Sequence, residues 1–218
     1  MGSEFGFAFF KTTILRGFLD AWFVYFSADL FTTNIAHLKA ISGIESPTFT
    51  FAHLWPPHPP FLFDREGNVR NRVNYFSGFD DEEAFIDQLV WVNKSVSSTV
   101  DRILEVNKEN SVIVIQGDHG TDFGDVQQAL ASGGELVDVV IQERTSILNA
   151  ILLPETCESK GLYDSITPVN TFRLIMDNCW GTDFGLLQDQ TYWSSYSSPF
   201  RLTAVDEPKI PAQSSSHE

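Results

Sequence analysis

The sequence predicts an α/β fold with a mostly parallel sheet flanked by helices, and three features carry that prediction. Two short continuous runs, Ser-Val-Ile-Val-Ile-Gln at 111–116 and Ile-Leu-Asn-Ala-Ile-Leu-Leu at 147–153, have the composition of strands buried on both faces. A helix-period stretch over 80–110 is long enough to cross between strands. Both runs stop abruptly, the first at Gly117-Asp-His-Gly120 and the second at Pro154, and in such sheets function collects at the carboxyl ends of strands.

Taken in order, Ile14, Leu15, Phe18, Leu19, Trp22, Phe23 and Phe26 recur at helical spacing over 12–29, and a second helix-like stretch covers 34–42. Eight of the 19 phenylalanines fall in the first 31 residues, so this helix is apolar on more than one side. Such a helix should be buried on most faces, and nothing in so short a segment offers itself as cover. Lys11, Arg16, Asp20 and Asp29 interrupt it. Its longest uncharged run, 21–28, falls far short of the ~20 residues of a membrane helix, so neither a span nor an ordinary signal peptide is expected.

Residues 47–54 alternate β-branched or aromatic side chains with others and read as a strand. They run into Trp55-Pro-Pro-His-Pro-Pro60, whose prolines forbid helix and ladder alike. Asp80-Asp-Glu-Glu83 then places acids at a helix start, where they suit its dipole. Phe85, Leu89, Val92, Val96, Val100 and Ile103 form that helix's predicted apolar face. Residues 121–144 are acidic and glycine-interrupted, the pattern of a mobile loop with a helical turn. Thr167 before Pro168 marks a helix start, and Gly181 its end. The organisation expected is an aromatic-rich helical segment at 1–45, an α/β portion at 46–205 and a polar tail at 206–218.

Charge narrows the partners. Lys plus Arg is 14 against 29 for Asp plus Glu, a net charge of -15 that repels nucleic-acid backbones and anionic lipid surfaces. Nucleic acid is therefore excluded as a partner. Cys157 and Cys179 form no disulfide framework and lack the spacing of a zinc knuckle. They read as buried free thiols, with a single bridge as the alternative in an exported chain.

The candidate chemistry lies at two strand ends. The first carries His53, with His58 five residues on; the second carries Asp118 and His119. On a regular strand Asp118 and His119 would point to opposite faces, but the flanking glycines let the backbone turn both toward one ion. A carboxylate beside an imidazole suits Zn²⁺ or Mn²⁺ better than Ca²⁺. Alone, the tripeptide also reads as a turn-forming Asp beside a partly exposed His, and His53 and His58 as an edge and a loop residue. Their joint placement on strand ends that could be neighbours favours a site. His37 and His217 take no role in it.

The segments Phe51-Ala-His-Leu-Trp-Pro-Pro-His-Pro-Pro-Phe-Leu-Phe-Asp-Arg-Glu-Gly-Asn68, Asp87-Gln-Leu-Val-Trp-Val-Asn93, Gln116-Gly-Asp-His-Gly120, Glu143-Arg-Thr-Ser-Ile-Leu-Asn-Ala150 and Ser165-Ile-Thr-Pro-Val-Asn-Thr-Phe-Arg173 carry a resemblance. In this order, over roughly 46–200, they resemble the C-terminal half of membrane-anchored sulfatase-like proteins. These belong to the alkaline phosphatase superfamily, in the branch of lipoteichoic acid synthase and the phosphoethanolamine transferases. The resemblance implies an alkaline-phosphatase-like central sheet, here incomplete, in an extracytoplasmic (periplasmic or cell-surface) catalytic domain. It implies a metal-dependent hydrolase or transferase of phosphate or sulfate esters. Asp118 and His119 match the family's adjacent metal ligands, and His53 a histidine that faces the phosphate or sulfate. His58 belongs to the same proline-rich motif, and Arg144 is a candidate anion contact, with a surface ion pair as its other reading. The implied substrate is a small anionic ester or a lipid headgroup.

In that family the nucleophile and the first acidic ligand precede the proline-rich motif by a long segment. Thr12, Thr13, Thr32 and Thr33 are the nearby candidates here, and they read as helix and capping residues. The nucleophile is thus unknown, and the chain reads as a member lacking its N-terminal half. The alternative is a non-catalytic remnant or binding module that packs its aromatic N-terminus on another chain or a second copy.

Overall fold

The structure, a computed structural model, describes residues 16–45, 47–70, 81–107, 110–121, 123, 126, 138–157 and 161–205. The chain divides into two compact units, Met1–Lys108 and Glu109–Glu218. The mixture of helix and strand expected from the sequence is present. The expected tail at 206–218 lies outside the described residues, as does the start of the N-terminal segment.

In the first unit, α1 (Arg16–Ile41) is one continuous helix where the sequence suggested two stretches. Val24, Ala28, Phe31 and Ile35 recur every three or four residues and are buried together with Leu62, Phe63 and Val92. The cover comes from Leu62, Phe63 and Val92, beyond the N-terminal segment, which by itself offered none. Tyr25, Phe26 and Leu30, on its other side, remain exposed.

The partner helix is α2 (Glu82–Asn107), which opens on Glu82 and Glu83 as predicted. Asp81 caps it: its Oδ1 accepts from the Ala84 N–H at 2.9 Å. Its buried line, Ala84, Gln88, Val92, Ser95 and Thr99, is displaced by one residue from the predicted apolar face and shares only Val92 with it. Small and polar residues centre the seam, and Phe85, Leu89, Val96, Val100 and Ile103 flank it, half-buried. The Lys39 ammonium donates to Ser98 Oγ at 2.9 Å, and the Asn107 amide to the Ser42 carbonyl at 3.2 Å, so the C-terminal ends of α1 and α2 lie together.

The strand expected at 47–54 is not formed: these residues are extended but unpaired. Phe49 and Phe51, 86% and 82% exposed, show why. Alternation makes a strand only where one face meets a core, and here the aromatic face meets none among the described residues. Further on, the chain turns inward and buries Phe61, Leu62 and Phe63, with the Phe63 ring 5.4 Å from Phe31 and 6.4 Å from Trp91.

The second unit contains β1 (Ile113–Gln116), α3 (Asp138–Thr145), β2 (Asn149–Leu152), α4 (Pro168–Trp180), β3 (Thr191–Ser195) and β4 (Ser198–Val205). Strands β1 and β2 stand where the sequence placed them, but they pair antiparallel, Ile113 opposite Leu152 and Gln116 opposite Asn149. The connection leaves β1 and re-enters β2 at the same end of the ribbon, so the strands must run oppositely. Strands β3 and β4 form a second antiparallel pair. Part of the stretch expected to be a mobile loop is helix α3; most of the rest lies outside the described residues.

Helix α4 starts and stops where predicted. Pro168 opens it and Gly181, at φ 65°, closes it with an N–H donated to the Asp177 carbonyl. Near its C-terminal end Cys179 is bonded to Cys157, with Cα atoms 4.4 Å apart. The expected free thiols are therefore corrected to a bridge, because the return of α4 past the 153–157 turn brings them within bonding distance.

Candidate functional site

The loop after β1 is held at both ends by the connection that returns to β2. The Gly117 N–H donates to the Leu148 carbonyl at 2.9 Å and extends the ladder by one bond. The Gly120 N–H donates to the Arg144 carbonyl at 2.7 Å. A Cβ on Gly120 would lie 1.9 Å from the Glu143 carbonyl oxygen, so only glycine lets the loop approach the end of α3. Glu143 completes the clamp: its Oε1 accepts from Thr121 Oγ1 at 2.7 Å and from the Phe123 N–H at 3.3 Å.

On this support Asp118 and His119 stand side by side. Asp118 Oδ1 accepts from the His119 N–H at 3.1 Å, while Oδ2 lies 3.8 Å from His119 Nε2. The side chains are 88% and 38% exposed, respectively. Their two outer atoms could flank one ion, since Zn²⁺ bonds to oxygen and nitrogen are about 2.0–2.2 Å. The oxygen and nitrogen donors fit Zn²⁺ or Mn²⁺ in kind. In number they supply one edge of a coordination sphere: among the described residues no three His, Cys, Asp or Glu side chains converge.

Arg144 joins this pair rather than the solvent. Its Nη1 lies 2.7 Å from His119 Nδ1 and donates to the Gly120 carbonyl at 3.2 Å, while Nδ1 is itself 2.8 Å from that carbonyl oxygen. The structure thus brings together three of the five residues singled out from the sequence, all in the second unit.

His53 and His58 belong to the first unit. Both are exposed, and His58 is fixed in place: its N–H donates to the Trp55 carbonyl at 3.0 Å, its Nδ1 is 2.6 Å from the Pro59 carbonyl oxygen, and its ring lies 4.7 Å from the Trp55 ring. Of the candidate nucleophiles, Thr12 and Thr13 lie outside the described residues. Thr32 Oγ1 donates back to the Ala28 and Asp29 carbonyls at 3.2 and 3.0 Å, the helix role read from the sequence.

What the sequence reading missed is the support. Gln88 is fully buried; its Oε1 accepts from the Leu62 and Phe63 N–H groups at 2.6 and 3.3 Å, and its Nε2 donates to the Pro57 and His58 carbonyls at 3.1 and 3.3 Å. One amide side chain thereby organises the backbone of the proline-rich segment, whose own prolines cannot donate. The available signal was a lone Gln at helical spacing between Ala84 and Val92. Asp87 adds a second anchor, bridging Arg65 at 2.6 Å and Arg70 at 2.7 Å.

A second polar cluster surrounds Asp189. Its carboxylate accepts from the hydroxyls of Thr167 and Tyr163, and at 3.0 Å from both the Thr167 N–H and Asn170 Nδ2. Burial pushes its pKa up, but these hydrogen bonds prevail and hold it below the ordinary carboxylate value. Tyr163 also lines an open pocket of about 280 Å³, with Asn149, Ile151, Leu162, Asp164 and Ile166. No family model, curated protein or solved structure matches this chain.

Proposed function

We propose that this protein is a metal-dependent hydrolase of the sulfatase or phosphoesterase type, acting on phosphate or sulfate esters such as a lipid headgroup. The reading extends to an extracytoplasmic domain of alkaline-phosphatase-like type, although both sheets among the described residues are antiparallel pairs. The observation that carries it is the pairing of Asp118 Oδ2 and His119 Nε2, 3.8 Å apart on a clamped loop at the carboxyl end of β1. The ordered resemblance over 46–200 supports the same reading and gives His53 and His58 their roles toward the ester. A bound divalent ion would supply positive charge to the ester oxygens and lower the pKa of an attacking hydroxyl or water. Asp118 and His119 provide one edge for that ion. In a chain of net charge -15, an anionic substrate depends on such local positive charge.

The test is turnover of nitrophenyl phosphate and nitrophenyl sulfate with added Mn²⁺ or Zn²⁺. Asp118→Ala and His119→Ala should each abolish it; full rates in both variants would overturn the assignment. A second reading, a non-catalytic module that self-associates through its aromatic N-terminus, is favoured by the exposed Tyr25, Phe26 and Leu30 of α1. It predicts concentration-dependent mass in light scattering, and a constant monomer mass would remove it. Among the described residues no helix is long and apolar enough to cross a membrane.

A further inference from the structure

We propose that Arg144 is a positioning residue that sets the tautomer of His119, keeping the ring proton on Nε2 and thereby opposing metal capture at that nitrogen. A guanidinium has five N–H donors and no acceptor. Its Nη1 can lie 2.7 Å from His119 Nδ1 as a hydrogen bond only if Nδ1 presents a lone pair. With a hydrogen on Nδ1, two donors would face each other at that distance. The two hydrogens of Nη1 serve Nδ1 and the Gly120 carbonyl, which lies 3.2 Å away. The neutral ring then carries its proton on Nε2, 3.8 Å from Asp118 Oδ2 and beyond hydrogen-bond range.

The competing arrangement is also built in. The Gly120 carbonyl oxygen is 2.8 Å from Nδ1 and could accept a proton held there. That second arrangement is how histidine ligands commonly free Nε2 for a metal. Arg144 prevails because its hydrogen bond is charge-assisted, roughly twice as strong as a neutral one. Nor is its approach a chance surface contact: its own carbonyl accepts the Gly120 N–H at 2.7 Å, so backbone and side chain of one residue grip the same loop. Metal binding at Nε2 then requires the proton to move to Nδ1, and Arg144 to give up that nitrogen to the Gly120 carbonyl.

The assignment of the tautomer stands on these contacts alone; its consequence for metal rests on the reading of Asp118 and His119 as a metal edge. Long-range ¹H–¹⁵N correlation spectra of the full chain, labelled at histidine, with EDTA and at about pH 8, above the ordinary imidazole range, decide it. The His119 signals are identified by their loss in His119→Asn. The wild-type ring should be the Nε2–H tautomer, and Arg144→Met should convert it to Nδ1–H. A wild-type Nδ1–H ring overturns the proposal even if the variant does not fold, and an Nε2–H ring unchanged in a folded Arg144→Met also overturns it. Zn²⁺ calorimetry should then show affinity raised about tenfold in Arg144→Met, within the range of outer-shell effects. Equal affinities overturn the metal consequence. No Zn²⁺ binding in either protein, with the tautomers as expected, overturns the metal reading and supports the role of Arg144 in setting the ring.

Discussion

Gly120 and Gly185 are both needed for backbone reasons, and they differ in what an added methyl group would meet. At Gly120 it would meet the Glu143 carbonyl oxygen at 1.9 Å, and backbone there cannot step aside cheaply; at Gly185, with φ at 62°, it meets nothing within 4 Å. Gly185→Ala should therefore cost about 1 kcal/mol for the left-handed conformation alone. Gly120→Ala should cost more than about 2 kcal/mol and displace Asp118 and His119. Urea unfolding of the two variants checks the order. Gln88→Leu removes four hydrogen bonds and strands the buried Leu62 N–H, for an expected loss of about 3 kcal/mol. Gln88→Glu, which keeps the acceptor but sets a buried carboxylate oxygen against the Pro57 and His58 carbonyls, should lose at least as much at neutral pH in the same measurement. Asp189 links the fold to pH. Its folded pKa is depressed, so its contribution is present above the unfolded value of about 3.9 and is lost as pH falls through the lower folded value. Asp64, through the Asn68 side chain, and Asp177, through Thr182, are depressed in the same direction. Stability measured from pH 5 down to pH 2.5 should fall less steeply in Asp189→Asn than in the wild type.

Among the elements, α1 separates a packed face from an exposed one, and the two should respond differently. Phe31 is buried against Leu62, Phe63 and Val92, so Phe31→Ala should cost about 3–5 kcal/mol. Tyr25→Ala, on the exposed side, should stay within about 0.5 kcal/mol. Thermal unfolding of the pair tests whether the seam with α2 is what holds this helix. The boundaries of α4 were legible because its start and stop depend on local chemistry, the fixed φ of Pro168 and the left-handed conformation of Gly181. The strand expected at 47–54 was illegible for the opposite reason. Its alternation is local, whereas its burial required a surface elsewhere in the chain. The one-residue shift of the buried line on α2 has the same origin: where helices approach closely, small side chains such as Ala84 and Ser95 take the centre, and hydropathy alone ranks the larger flanking residues above them.

For the whole molecule, the division into Met1–Lys108 and Glu109–Glu218 assigns His53 and His58 to one unit and Asp118, His119 and Arg144 to the other. The Cys157–Cys179 bridge lies within the second unit and closes a sequence separation of 22 residues. Replacing both cysteines by serine should lower the stability of that unit by about 3 kcal/mol, through loop entropy restored to the unfolded chain. Hydrogen exchange resolved along the sequence should then show faster opening in 109–218 and unchanged protection in 1–108; equal loosening of both would show that they unfold together.

By itself the sequence determined the locally coded features: the two strand runs, the starts of α2 and α4, the turn at Gly117-Asp-His-Gly120 and the acidic balance. Each depends on neighbours in the chain or on composition. Only the tertiary structure decided the antiparallel pairing of β1 with β2, the cysteine bridge, the cover over α1, and the roles of Gln88 and Arg144. These depend on groups distant in sequence meeting within hydrogen-bonding, bonding or van der Waals reach. His119 spans both kinds of information: the glycines beside it announce a turn, while the choice between its two nitrogens is made by an arginine 25 residues away.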